Sequence, residues 1–401
     1  MQADTFSIHS RSATSLPEAG ASSLEHSARV AAYIHERIEA GGGSISFAEF
    51  MQHALYAPAL GYYMAGARKF GAEGDFVTAP ELSPLFAGVL AKQCAPILEQ
   101  TGGGELLELG AGSGALAVDL LRKLGELQQL PRRYCILEVS PELQRRQRHR
   151  FQSDLPEMLP RVEWLSDLPD EFTGVIIANE VADALPVERF SVAAEGIRQH
   201  RVRVTDGIFA LYDAAAPPVL KRAVEKIERD TSRQLTPPYT SEISLGLPAW
   251  IASLAGCLRH GFAFLLDYGV SRGEYYVADR QDGWLRCHFR HRAHADPLIL
   301  PGIQDITSWV DFSLLAEAAA DSGLAVSGYA AQGPFLLAGG LAGELAEFAD
   351  LPTDRQLQLS QQVKLLTLPG EMGERFKCMG LSRGAIDSPA AFTGNDRAHT
   401  L

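Results

Sequence analysis

A strand-like run, Glu105-Leu106-Leu107-Glu108-Leu109, leads through Gly110-Ala111-Gly112-Ser113-Gly114 into the helix-like Ala115-Leu116. Glycines at this spacing permit a tight turn and let a ligand approach the backbone where the amides at a helix start point outward. The chemistry suggested is capture of a nucleoside-type cofactor. On its own the motif is ambiguous, because Gly110-x-Gly112-x-x-Ala115 also satisfies the relaxed dinucleotide fingerprint.

Context favours S-adenosylmethionine over a nicotinamide cofactor. Glu108 puts a carboxylate at the strand end, where an ammonium group can be received and where a pyrophosphate has no use for added negative charge. Gly114 completes an E-x-G-x-G-x-G spacing, and a long segment precedes the motif, whereas a dinucleotide fold commonly begins with it. Glu138 ends the next apolar run, where an acid can accept from both ribose hydroxyls; it also reads as a helix N-terminal acid ahead of Ser140-Pro141. Asp167 stands where an adenine amino group would be met, or is simply a solvent-exposed loop acid.

A second set of acids follows later strands. Ligands in open parallel sheets collect at the carboxyl ends of strands. That places Asn179, Glu180 and Asp183 near the reaction, with Asp267 and Tyr268 on the same rim as candidate substrate contacts. Asp75 and Glu81 are expected to fold over from the N-terminal side as a lid. Methyl transfer from a sulfonium is an in-line displacement, so a protein must chiefly align the nucleophile and exclude water. For a guanidinium nucleophile, a carboxylate that binds bidentately, such as Glu180, is the expected catalytic group.

The elements that must position these residues are short apolar runs alternating with helices from Glu105 onward, the sequence form of a parallel doubly wound α/β sheet. The runs are Leu106 to Leu109, Tyr134 to Leu137, Val162 to Leu165, Val175 to Ala178 and Phe262 to Leu266. Further strands are expected near Leu324 to Tyr329 and Phe376 to Leu381, giving seven in all, the last two forming an antiparallel edge. An antiparallel ribbon with a hairpin turn at Asp206-Gly207 is inserted at about 187–250, and a basic, His-rich loop occupies about 271–302. Residues 26–104 read as a helical region and lid, with Ser46 and Glu49 as a capping box. The core is expected over 105–386, between tails at 1–25 and 387–401.

Composition narrows the class. The chain has 401 residues, 46% hydrophobic and 21% charged, and a mean hydropathy near zero, as ordinary globular proteins do. A formal charge of −13 disfavours nucleic-acid binding and suits a cationic partner. Five dispersed cysteines suggest reduced thiols rather than disulfides or zinc. No apolar run is long enough to span a bilayer, so no membrane insertion is expected and a cytoplasmic location is the default. A mitochondrial transit peptide is opposed by Asp4, Glu18 and Glu25. His288, His291 and His294 alternate with Arg286, Arg290 and Arg292, whose charges oppose a metal dication, so no metal is expected and the loop is read as a substrate contact through His288. Arg145, Arg146, Arg148 and Arg150 read as the solvated face of a helix.

Several segments together resemble the MidA-like family of S-adenosylmethionine-dependent methyltransferases: Gly74-Asp75-Phe76-x-Thr78-x-Pro80-Glu81, Glu108 to Gly114, Glu138-Val139-Ser140, Asn179-Glu180-x-x-Asp183-x-Leu185-Pro186-Val187, Asp267-Tyr268-Gly269 and Gly302-x-x-Asp305-Ile306-Thr307-x-x-Val310-Asp311-Phe312. They span roughly residues 45 to 385. The resemblance implies a class I, Rossmann-like fold and S-adenosylmethionine as cofactor. The implied cofactor residues are Asp75, Thr78, Glu81, Glu108, Gly110, Gly112, Gly114, Glu138 and Asp167, and Glu180, Asp183 and Asn179 are implied as catalytic. Its mitochondrial members are protein arginine methyltransferases linked to assembly of respiratory complex I. That makes a protein arginine, in a respiratory NADH dehydrogenase subunit, the expected acceptor. A small molecule, another side chain, or a non-catalytic cofactor-binding assembly factor are the alternatives.

Overall fold

Apolar residues in strands covered on both sides must feed two cores at once, and they do so by alternation. A computed structural model describes residues 16–65 and 78–401. Its central strands are β1 (Glu105–Leu109), β2 (Tyr134–Leu137), β3 (Val162–Leu165), β4 (Phe172–Asn179), β5 (Leu258–Val270), β6 (Ala325–Ala331) and β7 (Phe376–Arg383). In β4, Val175 and Ile177 enter one core with Leu106 and Phe264, while Ile176 and Ala178 enter the other with Leu107 and Leu265. The first core is closed by α4 (Pro84–Gln100) and α5 (Ala115–Glu126), the second by the helices Leu247–Cys257 and Phe312–Asp321.

The strand order is β6-β7-β5-β4-β1-β2-β3, with β1 to β5 mutually parallel. One detail corrects the expected sheet. A two-residue strand, Val310–Asp311, pairs with the end of β5 and makes eight strands. The last two strands form the antiparallel edge expected of them, with β7 inserted between β5 and β6 and antiparallel to both.

The N-terminal region contributes α1 (Ala21–Ala40), α2 (Phe47–Tyr56) and α3 (Ala79–Leu82). The helix α1 begins five residues inside the segment read as a tail, and its Val30, Ile34 and Ile38 are buried. The capping box at α2 is present: Glu49 N donates to Ser46 Oγ at 3.1 Å and Ser46 N to Glu49 Oε2 at 2.7 Å. The insertion is antiparallel as expected, built from Glu188–Ala193, Gly196–Thr205, Ile208–Ala215 and Tyr239–Ile243 with a helix at Pro218–Thr231, and its Asp206-Gly207 turn has φ of 52° and 79°. Ile45 and Ser46 pair with Val202 and Arg201, so the N-terminal region is stitched to the insertion.

Two segments hold more structure than their sequence suggests. The basic loop folds into strands Arg286–Phe289 and Arg292–His294, and the first of these also pairs with Asp305–Thr307. Residues 387–401 are not a tail. Ala391 and Phe392 are buried beside Phe335, and Asp396 Oδ1 accepts from Tyr329 N at 2.9 Å. Among the described residues no helix is long and apolar enough to cross a membrane.

Candidate active site

The turn after β1 depends on left-handed backbone at Gly110 (φ 62°), Gly112 (54°) and Gly114 (82°), a region that side chains other than glycine rarely adopt. It delivers the start of α5 to a cavity of about 390 Å³, within the usual range for a small-molecule site. Glu108 reaches the same cavity. Its carboxylate is 3% exposed and accepts from Tyr134 Oη at 2.7 Å. Burial pushes it up to about 7 against the pull of the Tyr134 bond, with Glu138 adding to the rise.

Glu138, at the end of β2, lies in the cavity wall and is held from below. Its Oε1 accepts from Ser140 N at 2.9 Å and its Oε2 from Gln147 Nε2 at 3.1 Å. Gln147, fully buried on α6 (Pro141–Asp154), also donates to Gly112 O at 3.0 Å and accepts from Trp164 Nε1 at 2.8 Å. One side chain therefore couples the glycine turn to the acid of the next strand. Asp167 is not brought in. It is exposed, takes a hydrogen bond from Ser166 Oγ at 3.0 Å, and leaves the wall to its neighbour Leu168.

Over this half lies α3. Thr78 and Glu81 line the cavity, and Glu81 Oε1 accepts from the Ser113 hydroxyl while Arg150 stands 3.5 Å away. Asp75 lies outside the described residues. The arginine run of α6 is less free than a solvated face: Arg146 bonds Glu142 at 2.9 Å, Arg148 sits 4.4 Å from the Trp164 ring centre, and Arg150 donates to Ser113 Oγ at 2.7 Å.

The other half begins where β4 ends. Asn179 and Glu180 both line the cavity. Glu180 adopts φ 54°, a left-handed backbone unusual for a residue with a side chain, and its N donates to Leu266 O at 2.8 Å. Asn179 Nδ2 donates to its Oε1 at 3.3 Å, and the Ala79 amide at the start of α3 donates to it too. Burial pushes the Glu180 carboxyl up to about 8, Asp183 and Asp305 add to the rise, and the Asn179 and Ala79 bonds oppose it.

Asp267 and Tyr268, expected at the substrate, and Asp183, expected in catalysis, lie outside the cavity wall and build its support. Asp267 is 2% exposed and spends its oxygens on backbone: Oδ2 accepts from Ala182 N at 2.9 Å and Asp183 N at 3.1 Å, and Oδ1 from Tyr268 N at 2.9 Å. It fixes the loop that carries Glu180, because orphan amides in a buried loop need acceptors. Tyr268 packs edge-on between Trp309 and Phe376, with its hydroxyl directed at Asp183. Asp183 sits behind the wall rather than in it, and burial raises its carboxyl. His288 lies on the small sheet opposite Asp305, away from the wall, with its imidazole pushed down by burial. Among the described residues no group of three His, Cys, Asp or Glu side chains is placed to hold a metal ion.

The sequence reading missed Tyr56 and Tyr63, both in the cavity wall. After α2 the chain doubles back, Tyr62 N donating to Ala54 O and Tyr63 N to Leu55 O, each at 2.9 Å. Gly61 makes this possible, since a Cβ there would fall 2.5 Å from the Leu55 and Tyr56 backbone. The two rings then stack at 5.4 Å and 26°. A single glycine between aromatics was the one available signal. Trp250, Ser253 and Leu254, which follow the insertion, complete the wall.

Residues 89–330 match the family described as "Putative S-adenosyl-L-methionine-dependent methyltransferase". The mitochondrial protein arginine methyltransferase NDUFAF7 homolog of Drosophila melanogaster is 30% identical over 391 residues, covering 86% of this chain and 83% of that protein. The human mitochondrial protein arginine methyltransferase NDUFAF7 is 31% identical over 379 residues, covering 84% and 80%. A Burkholderia thailandensis crystal structure bound to S-adenosyl-homocysteine superposes with a TM-score of 0.91 at 39% identity, covering 96% of this chain and all of that one.

Proposed function

We propose, from the premise that this chain belongs to the S-adenosyl-L-methionine-dependent methyltransferase family, that it methylates an arginine side chain of a protein. S-adenosylmethionine is its cofactor. The residues present suit it: the glycine turn leaves backbone open to a ligand, buried Glu108 offers a carboxylate to an ammonium group, and Glu138 offers one to ribose hydroxyls. When bound, the cofactor supplies an electrophilic sulfonium methyl group.

The observation that carries the arginine reading is Glu180, an acid in the wall of the cofactor cavity whose affinity for its proton is raised by burial first and by the neighbouring acids Asp183 and Asp305 second. Such a group suits a cation. Its two oxygens match two guanidinium N–H groups in one plane, fixing the nitrogen while neutralising its charge. Entry of the cation favours the ionised carboxylate, which then stands beside the nitrogen that must lose a proton when a methyl is added. Asp267 and Asn179 hold the loop and the carboxylate in place, and α3 with the stacked tyrosines screens the site from water. Relatives named as protein arginine methyltransferases agree with this acceptor. A respiratory NADH dehydrogenase subunit is the proposed partner, by the family resemblance.

The test is mass spectrometry of proteins from cells with and without this chain. Methyl groups lost from arginine in its absence are the expected result. Loss from lysine, carboxyl or a small molecule, with arginine unchanged, would overturn the arginine reading and leave the methyltransferase assignment in place.

A further inference from the structure

The tyrosines on α2 and the turn after it present an unusual surface to a cavity edged by acids. Tyr56 Oη donates to Ala184 O at 3.0 Å and Tyr63 Oη donates to Asp305 Oδ1 at 2.9 Å, so both hydroxyls are tied back into protein. What they offer a ligand is ring surface. The rings are stacked and form part of the wall that also contains Glu180. Acids lie close by, and burial together with Asp183 and Asp305 keeps both phenols protonated. Both tyrosines precede residue 89, where the family match begins.

Resting on the arginine reading above, we propose that the Tyr56–Tyr63 stack is the specificity determinant of the acceptor site, a platform selecting a planar, delocalised cation over a compact one. The physical reason is a division of labour. A carboxylate binds a guanidinium at its edge through two N–H groups, but it also accepts an ammonium as a point charge, so its discrimination between the two is incomplete. A ring face sharpens the distinction, because guanidinium is flat and weakly hydrated and stacks on aromatics, whereas a compact, strongly hydrated ammonium gains less from the same face. Glu180 therefore supplies charge recognition, and the stack supplies shape. The hydroxyl bonds to Ala184 and Asp305 hold the rings to the loop that bears Glu180 and to the strand behind it.

The test uses the full chain saturated with S-adenosyl-homocysteine and two unreactive probes, n-butylguanidinium and n-butylammonium, titrated calorimetrically. Wild type is expected to bind the guanidinium at least ~10-fold more tightly, and Tyr63→Leu or Tyr56→Leu to lose most of that preference while S-adenosyl-homocysteine affinity stays within about twofold. Tyr63→Phe, which keeps the ring and drops the hydroxyl, should retain the preference, and this also covers the case in which a leucine variant folds poorly. In methyl transfer the leucine variants should raise KM for an arginine peptide about tenfold with kcat within about threefold. Equal binding of the two probes by wild type overturns the proposal, as does a preference that survives both leucine substitutions. Those results would leave the arginine reading standing. Methylation of a residue other than arginine sinks that reading alone, since the probes bind without reacting and still decide the stack.

Discussion

The two halves of the cavity are built in opposite ways. The half of the cavity proposed for the cofactor, from Glu108 through the glycine turn to Glu138 and Gln147, comes from one continuous β1-α5-β2-α6 stretch. The half proposed for the acceptor is gathered from the end of α2, the turn that follows it, the start of α3, the ends of β4 and β5, and the strand holding Asp305. The first is a unit local in sequence. The second exists only through long-range contacts, and it carries the strained backbone, Glu180 at φ 54°. Both halves hold a buried acid pushed upward and ready for a cation, Glu108 to about 7 and Glu180 to about 8. The difference suggests that cofactor affinity and turnover can be broken separately.

The largest effect should come from the acceptor side. Glu180→Gln keeps size and hydrogen-bonding capacity but cannot become a carboxylate, so methyl transfer should fall at least ~100-fold, the scale of one strong polar interaction at about 3 kcal/mol. S-adenosyl-homocysteine affinity should hold within about twofold. If affinity collapses together with turnover, the halves are not separable and Glu180 belongs to the cofactor side.

On the cofactor side, Gln147→Leu removes the donor that reaches both Gly112 O and Glu138 Oε2. Leaving a buried carboxylate short of a partner costs about 2 kcal/mol. Calorimetry should therefore find cofactor binding weakened ~30-fold, with kcat at saturating cofactor nearly restored. A kcat that stays low at saturation would show that the turn also shapes the acceptor side.

A pH series sharpens the contrast further. Cofactor affinity should rise up to ~10-fold per pH unit below about 7, where Glu108 gains its charge, and level off above that. Glu108→Gln should abolish the slope. Stability moves the other way: the raised carboxyl favours the ligand-free fold below its ordinary value of 4.5, and that contribution is lost as pH climbs through about 7. The Tm of the wild type should fall across this window by more than that of the Glu108→Gln variant, which lacks this contribution. Identical Tm profiles for the two proteins would remove Glu108 from the account.

The same contrast explains what the sequence disclosed. The parallel strands, the ribbon insertion, the Ser46–Glu49 cap and the glycine turn were legible because each is specified by neighbours a few residues away, and Glu108, Glu138 and Glu180 were legible as acids at or just past strand ends. Gln147 was not, since a buried glutamine in an arginine-rich helix has no pattern of its own. Nor were Tyr56 and Tyr63, whose meeting depends on a turn after α2. Asp267 was found and its role misread: the position of an acid at a strand end says nothing about whether its oxygens face a ligand or the amides of the next loop. The short strand Val310–Asp311 and the sheet within the basic loop were missed because each needs a partner distant in sequence.

The smallest expected effect lies at the margin of the cofactor half, where the sequence reading and the structure part over Asp167. Read from its position after β3, this acid should meet the adenine amino group. In the fold its carboxylate is exposed, with Ser166 Oγ at 3.0 Å, and the apolar side chain of Leu168 turns to the cavity instead. A carboxylate in bulk solvent gains little from a neighbouring amino group, because water screens the contact and the freedom lost in making it is not recovered. Asp167→Asn should accordingly change S-adenosyl-homocysteine affinity by less than about twofold. Leu168→Ala removes apolar surface from the wall and should cost more, about fivefold, on the scale of one to two buried methylene groups. Calorimetry on the pair decides the matter by their ranking alone. A tenfold loss in Asp167→Asn with Leu168→Ala unaffected would mean that the β3 loop rearranges over the adenine. The cofactor half would then be completed by its ligand instead of standing preformed, and the contrast drawn between the two halves would have to be given up.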